Sequence, residues 1–428
     1  MTGLPPYLPP ASGALGALAL AASRRVDLVY VSDSNGQYNG WGWSSAFTVA
    51  LGAKYGLYAS PVYPQEITGT SISNAGAPTF SGYPGAGGAT SGYPSGQASY
   101  GLPFAPPCYQ ASVAIGPNNG LTISPSPVDA YGNAFNGFNA ASNLRLWLSY
   151  GTFATGGGTF KPCWRMEYSP YTILQNGSLI NCQTGTDGQA MTYVDLAAGA
   201  RGGIIGAHWQ AGGGTVSTPA TTQFWQRAED KLALAGAAVT QLYAAGGMDL
   251  YDYWTTFNGY TQAQWTNFFK AVTYSQMQAG QEPIVVMLIN SGDNDINDSA
   301  RSSIGPIGGL TNNTAAGYLD NLRGVYNLLT TAWAAAGLPT SSLSFAGLYF
   351  LIMPSQVYGP SADNATLISM RAAAARFAAG KPNVSFVDLA ALVPIAELLA
   401  NGGYNSQPHL SNVAYQYIAT KLVNTFVR

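Results

Sequence analysis

From about residue 239 to the C-terminus the chain alternates short apolar runs with longer stretches of helical periodicity, and this alternation limits the fold more than any other feature. Strand-like runs stand at residues 239–243, 283–290, 343–352 and 384–388. Helical spacing is expected over residues 261–278, 315–336, 365–379 and 411–426; in the second of these Leu322, Val325, Leu329 and Trp333 share a face. One more apolar run, residues 26–32 (VDLVYVS), precedes a helical pattern over residues 41–55. Parallel neighbours need crossover connections, and the crossover helices cover the sheet, so strands without polar alternation followed by helices call for a parallel sheet buried on both faces. The expected fold class is α/β.

Between the first unit and the rest the pattern changes. Residues 61–120 are dominated by Gly, Ser, Pro and Tyr, including SGYPGAGGATSGYPSG, and long unpatterned stretches of this kind are usually surface or functional segments. From 120 to 216 come GLTISP, NLRLWLSYGTF, PCWRMEYSP, MTYVDLAA and GGIIGAHW, short strand-like pieces with turn residues between them. Such spacing suggests an inserted β-sandwich or jelly roll. Residues 224–237 (FWQRAEDKLALAGA) read as a helix that resumes the α/β pattern. The expected organisation is a Pro-rich arm over 1–25, a discontinuous α/β domain formed by 26–60 and 221–428, and an insertion over 61–220.

The arm opens with LPPYLPP, which favours extended structure and offers an attachment point to a larger assembly. Residues 12–22 (SGALGALALAA) read as arm or short helix: no basic residue precedes them, which argues against a signal peptide, and they are too short to span a bilayer.

Charged residues are 8% of the chain, with Lys+Arg 17 against Asp+Glu 19, so no basic surface awaits nucleic acid or anionic lipid. With 27 Tyr and 9 Trp, the surface suits neutral ligands such as glycans, although any single aromatic is as readily core. That character favours an extracellular, virion or cell-surface setting. Cys108, Cys163 and Cys182 lack the spacing of a metal site; they read as three small buried residues, or as one disulfide plus a thiol.

Ligands of open α/β sheets sit beyond the carboxyl ends of the strands. Three such ends carry chemistry: Ser32-Asp33-Ser34-Asn35 after the first strand, Gly292-Asp293-Asn294-Asp295 after IVVMLIN, and His409 in SQPHLS before the last helix. A serine on a strand-to-helix turn exposes its hydroxyl, and an Asn amide can donate to a developing oxyanion. The chain holds two histidines, so a base for Ser34 is His409 or His208. Taken singly, each motif is also ordinary turn chemistry or a structural histidine.

Together and in this order they resemble blocks one, three and five of the SGNH (GDSL-like) hydrolase family, over about residues 1–58 and 221–428. SDSN stands where the family has GDS, GDND matches GxND, and PHLS matches the His block. For the second block, a Gly whose N–H completes the oxyanion hole, Gly247 in YAAGGM is the better match and Gly76 in Asn74-Ala75-Gly76 the competitor. Ser32 replaces the family's first Gly. Ser406 replaces the Asp normally three residues before the His, so a backbone carbonyl near Ser406 or the Asp388 carboxylate would have to orient His409.

The resemblance implies a flavodoxin-like three-layer α/β/α fold and a serine esterase needing neither metal nor cofactor. Ser34 would be the nucleophile, His409 the base, and Ser34 N–H, Gly247 N–H and the Asn294 amide the oxyanion hole. The expected substrate is a polysaccharide, or an acylated small molecule, losing O-acetyl or another short acyl group; neither nucleic acid nor membrane is an expected partner. The alternatives are a non-catalytic glycan-binding or structural protein of a virion or cell surface, and a lipase or thioesterase.

Overall fold

The computed structural model describes residues 13–33, 35, 42–59, 79–81, 89–92, 108–111, 122–124, 143–155, 159–166, 173–195, 205–211, 221–244, 247–341, 345–355, 363–406 and 409–427. In chain order the strands are β1 (Arg25–Ser32), β2 (Thr79–Ser81), β3 (Ala89–Gly92), β4 (Cys108–Ala111), β5 (Thr122–Ser124), β6 (Leu144–Thr152), β7 (Thr159–Met166), β8 (Ile173–Asn176) and β9 (Ile180–Asn181). There follow β10 (Gly188–Asp195), β11 (Ile205–Ala211), β12 (Thr221–Asp230), β13 (Gly236–Ala244), β14 (Ile284–Asn290), β15 (Gly347–Ile352), β16 (Val384–Phe386), β17 (Tyr404–Ser406) and β18 (His409–Leu410).

Five strands form a parallel sheet in the order β13-β1-β14-β15-β16, which counted along the chain is 2-1-3-4-5. This is the order of a doubly wound sheet, and its winding reverses between β1 and β14. Side-chain alternation along β1 shows how both faces are filled. Leu28 and Tyr30 enter a core with Trp43, Phe47, Leu51, Ile418 and Leu422, whereas Val29 and Val31 enter another with Phe257, Phe269, Val325, Leu329 and Met370. Helices Trp43–Tyr55 and Asn412–Phe426 therefore cover one face, and helices Leu250–Asn258, Gln262–Gln278, Ala315–Ala335 and Asp363–Ala379 the other.

The intervening strands form two antiparallel sheets, β10-β6-β12-β4-β3 and β2-β5-β11-β7-β8, with β9 beside β7. The helix expected over residues 224–237 does not form: Thr221–Asp230 is strand β12, antiparallel to β4 and β6. The helical reading rested on the spacing of apolar residues in this stretch. In the structure Arg227 and Glu229, two residues apart, are both buried because cationic and anionic partners await them in the parallel sheet. Arg227 pairs with Asp27, and Glu229 with Arg25 at 3.3 Å. Asp230 N–H also donates to the Tyr58 carbonyl at 2.7 Å, so the antiparallel sheet that holds β12 is joined to the α/β unit by backbone as well as charge.

Of the two readings for residues 12–22, the short helix forms over Gly13–Ala19, with a 3-10 turn at Leu20–Ala22. It is docked: Ala14, Ala17, Leu18 and Ala21 are buried, and Leu15 N–H donates to Ser385 Oγ at 3.2 Å. The LPPYLPP segment lies outside the described residues. Cys182 is a free, buried cysteine whose thiol burial pushes up to about 12; the side chains of Cys108 and Cys163 lie outside the described residues. Among the described residues no helix is long and apolar enough to cross a membrane.

Candidate active site

The carboxyl ends of β1 and β14 adjoin at the point where the winding reverses, which is where a doubly wound sheet opens a crevice. Ser32, buried at the end of β1, donates through Oγ to Asn290 Oδ1 at 3.3 Å, and Asn290 Nδ2 donates to the Met353 carbonyl at 2.7 Å. These contacts lock three adjacent strand ends to one another. Ser34 lies outside the described residues, and its neighbours Asp33 and Asn35 are both buried. Asp33 Oδ1 accepts from Asn35 N–H at 2.8 Å and from Asn35 Nδ2 at 2.7 Å. Burial pushes the Asp33 carboxyl up to about 6, against the lowering effect of those hydrogen bonds. Asn35 Nδ2 donates a second time, to Asp293 Oδ2 at 3.0 Å, and so joins the β1 turn to the β14 turn.

The β14 turn depends on Gly292, whose φ of 129° is outside the reach of an ordinary L residue. A Cβ at this position would also stand 2.9 Å from Leu367 Cδ1. Gly292→Ala is therefore expected to destabilise the fold by about 1–3 kcal/mol. Urea unfolding checks it, and a wild-type midpoint would show that the turn tolerates a side chain.

Beyond Gly292, half-buried Asn294 donates through Nδ2 to the Met248 carbonyl at 2.8 Å. An amide nitrogen carries two hydrogens, so this contact fixes the plane of the group and a second N–H remains to donate. It also places Asn294 beside Gly247, which is exposed, has φ 79°, and would meet open space with a Cβ. Asp295 reinforces the pairing, because its Oδ1 accepts from Leu250 N–H at 3.0 Å. Burial, with the Asp249 charge nearby, drives the Asp295 carboxyl well above the usual carboxylate range. Asp249 caps helix Leu250–Asn258, pairs with Arg301 at 3.0 Å and accepts from Asn312 Nδ2 at 2.9 Å. The Gly247 loop is thus held on a polar frame.

His409 stands in β18 opposite Ser406 of β17. It is half-buried, and burial holds its imidazole below the ordinary value of 6.5. The following helix, Asn412–Phe426, is capped by Ser411, whose Oγ accepts from Ala414 N–H at 3.1 Å. Tyr415 in its first turns donates its hydroxyl to Asn35 Oδ1 and accepts Leu410 N–H at 3.4 Å. Burial, then the Asp293 charge, pushes the Tyr404 phenol up to about 12.

The segments that flank Ser34, carry Asn294 and carry His409 are thereby in contact. His208, by contrast, is in β11 of an antiparallel sheet, opposite Cys163. Asp388 caps helix Leu389–Leu392, its Oδ1 accepting from Ala390 N–H at 3.0 Å and lying 3.2 Å from Arg371 Nε. The Ser406 side chain and the rival Gly76 lie outside the described residues. Sequence reasoning overlooked Asn35, Asp293, Tyr404 and Tyr415. Asn35 and Asp293 were inside the quoted motifs, while nothing in the periodicity separates Tyr415 from a core aromatic.

No protein-family model and no curated protein matches the sequence. Among solved structures, an acetyl xylan esterase from Butyrivibrio proteoclasticus overlaps 74% of this chain and 93% of its own, at 9% identity and a TM-score of 0.25. A GDSL-like lipase from Bacteroides ovatus overlaps 71% and 84%, at 7% identity and a TM-score of 0.25. A xylan-binding domain from Paenibacillus barcinonensis overlaps 35% and 85%, at 8% identity and a TM-score of 0.23. Overlaps this loose transfer neither family nor activity, so function rests on the chain's own residues.

Proposed function

We propose that this chain is a serine ester hydrolase of SGNH type: a flavodoxin-like three-layer domain that carries a jelly-roll-like insertion. The observation that carries the reading is Asn35 bridging Asp33 and Asp293 while accepting from Tyr415, because it gathers the turns of three remote motifs at one rim of the sheet.

In this mechanism neutral His409 takes the Ser34 hydroxyl proton as Oγ attacks an ester carbonyl. The oxyanion is met by Ser34 N–H, Gly247 N–H and the free N–H of Asn294. Collapse breaks the ester C–O bond, His409 returns the proton to the leaving alcohol, and an acyl-Ser34 remains. Water, deprotonated by His409, then releases the carboxylic acid and restores the hydroxyl. The low charge and the many Tyr and Trp support a neutral glycan as the alcohol half, with acetyl or another short acyl group as the acid half.

A fluorophosphonate probe tests the site: phosphonylation mapped to Ser34 by mass spectrometry is expected, with none in His409→Ala. Ser406 in the place of the usual Asp favours a second reading, a non-catalytic glycan-binding or structural protein on the same fold. Ser34 that stays unlabelled in folded protein selects it.

His409 acts as a base only when neutral, and its pKa is lowered by burial, so it is already more than half neutral at pH 6.5 and loses that form as pH drops further. The kcat/KM profile is expected to be level from about pH 7 to 8 and to decline on an acid limb whose midpoint lies below about 6.5. Asp33 titrates in the same window, at about 6. Asp33→Asn keeps the oxygen that accepts from Asn35, so a limb that persists in this variant belongs to His409, and one that vanishes belongs to Asp33.

A further inference from the structure

Asn35 is buried to 4% exposure, and its side-chain amide meets complementary groups on each side. Both Nδ2 hydrogens point at carboxylates, Asp33 Oδ1 at 2.7 Å and Asp293 Oδ2 at 3.0 Å, while Oδ1 accepts the Tyr415 hydroxyl. No other side chain of this size offers two donors towards anions and an acceptor towards a hydroxyl: Asp would add a third carboxylate, and Leu would remove the amide that the two carboxylates share.

Tyr415 is equally fixed, but by packing. Its ring is fully buried and meets the Trp43 ring edge-on at 5.0 Å, so its position does not depend on the hydroxyl. That hydroxyl also accepts the Leu410 N–H, at a long 3.4 Å, and this N–H belongs to the peptide that joins His409 to Leu410. A continuous path therefore runs from the backbone of His409 through Tyr415 and Asn35 to the turn that contains Ser34.

The path matters because of what surrounds His409. β18 is two residues long and its pairing with β17 is irregular between Tyr404 and Ser406, so the His409–Leu410 peptide gains from a further anchor. Position 406, where a carboxylate would hold the ring, is serine. We infer that Asn35 and Tyr415 are positioning residues that align His409 with the Ser34 turn, taking over through the backbone part of the alignment that a carboxylate at position 406 would give; the inference rests on the esterase reading above.

The test is Tyr415→Phe, which removes the hydroxyl and keeps the ring against Trp43. Displacements on the order of 1 Å can cost roughly 100-fold in rate, so kcat on a short acetyl ester is expected to fall about 10- to 100-fold. KM should stay within about twofold, since the substrate does not touch Tyr415. The rate of Ser34 phosphonylation should fall in the same proportion as kcat. Asn35→Ala should fall at least as far, and the double variant no further than Asn35→Ala, because both substitutions cut one path.

A kcat in Tyr415→Phe equal to wild type, or a loss explained wholly by unfolded protein with normal kcat per folded molecule, overturns the inference and leaves the esterase reading standing. A wild type that neither turns over esters nor takes the probe removes both.

Discussion

Ser34→Ala is expected to lower kcat on a short chromogenic acetyl ester by roughly 10⁴- to 10⁶-fold while the protein remains folded. A nucleophile and its base act as a unit, so His409→Ala should cost about as much, and the double variant little more than either single change. Asn294→Ala should cost less, about 10²- to 10³-fold, the usual loss for one oxyanion donor. Part of that loss will arise indirectly, because Asn294 also donates to the Met248 carbonyl and so steadies the neighbouring Gly247. Steady-state kinetics beside circular dichroism of each variant separate chemistry from folding. Turnover by Ser34→Ala at the wild-type rate would remove this serine from the reaction and the proposed mechanism with it.

Most of the parallel sheet was legible because its strands announce themselves. β1, β14 and β15 are buried throughout, and burial on both faces makes a strand largely apolar, broken in β1 chiefly by Arg25 and Asp27. The helices were equally plain where a capping residue opens them, as Thr261, Thr314 and Ser411 do. Failure came at β12, where burial and apolarity part company. Arg227 and Glu229 are interior residues, and their burial leaves no apolar run by which the strand could be read.

The same blindness affected the site. Motif order pointed to segments that the structure brings together, but the groups that join them, Asn35 to Asp293 and Tyr415 to Asn35, lie 258 and 380 residues apart in sequence. Local pattern carries no information at that range. Asp388 illustrates the converse. Its position after a strand suggested a role towards His409, but an Asp before a helix is first of all a cap, and its carboxylate already faces two helical N–H groups and Arg371.

The buried charge of β12 is also where the protein should be most fragile. Arg227 and Asp27 are fully buried, one in antiparallel strand β12 and the other in β1 of the parallel sheet. Around them Tyr58 Oη donates to Asp27 Oδ2 at 2.7 Å, Gln276 Nε2 donates to the same oxygen, and Arg227 donates to Thr240 Oγ1 at 3.1 Å. Arg227→Met should destabilise the protein by about 3–5 kcal/mol, since it strands a carboxylate in the interior without its cation. Arg145→Met, which breaks a partly exposed pair with Asp195, should cost about 0–1 kcal/mol through the lost ion pair. Adding Asp27→Asn to Arg227→Met should restore much of the loss: the unpaired charge is gone, and the Asn oxygen can still accept from Tyr58. Urea midpoints for the single and double variants measure this directly. A single Arg227→Met variant within about 1 kcal/mol of wild type would mean that water or rearrangement neutralises Asp27, and that the buried pair is not what fastens the antiparallel sheet of β12 to the α/β unit.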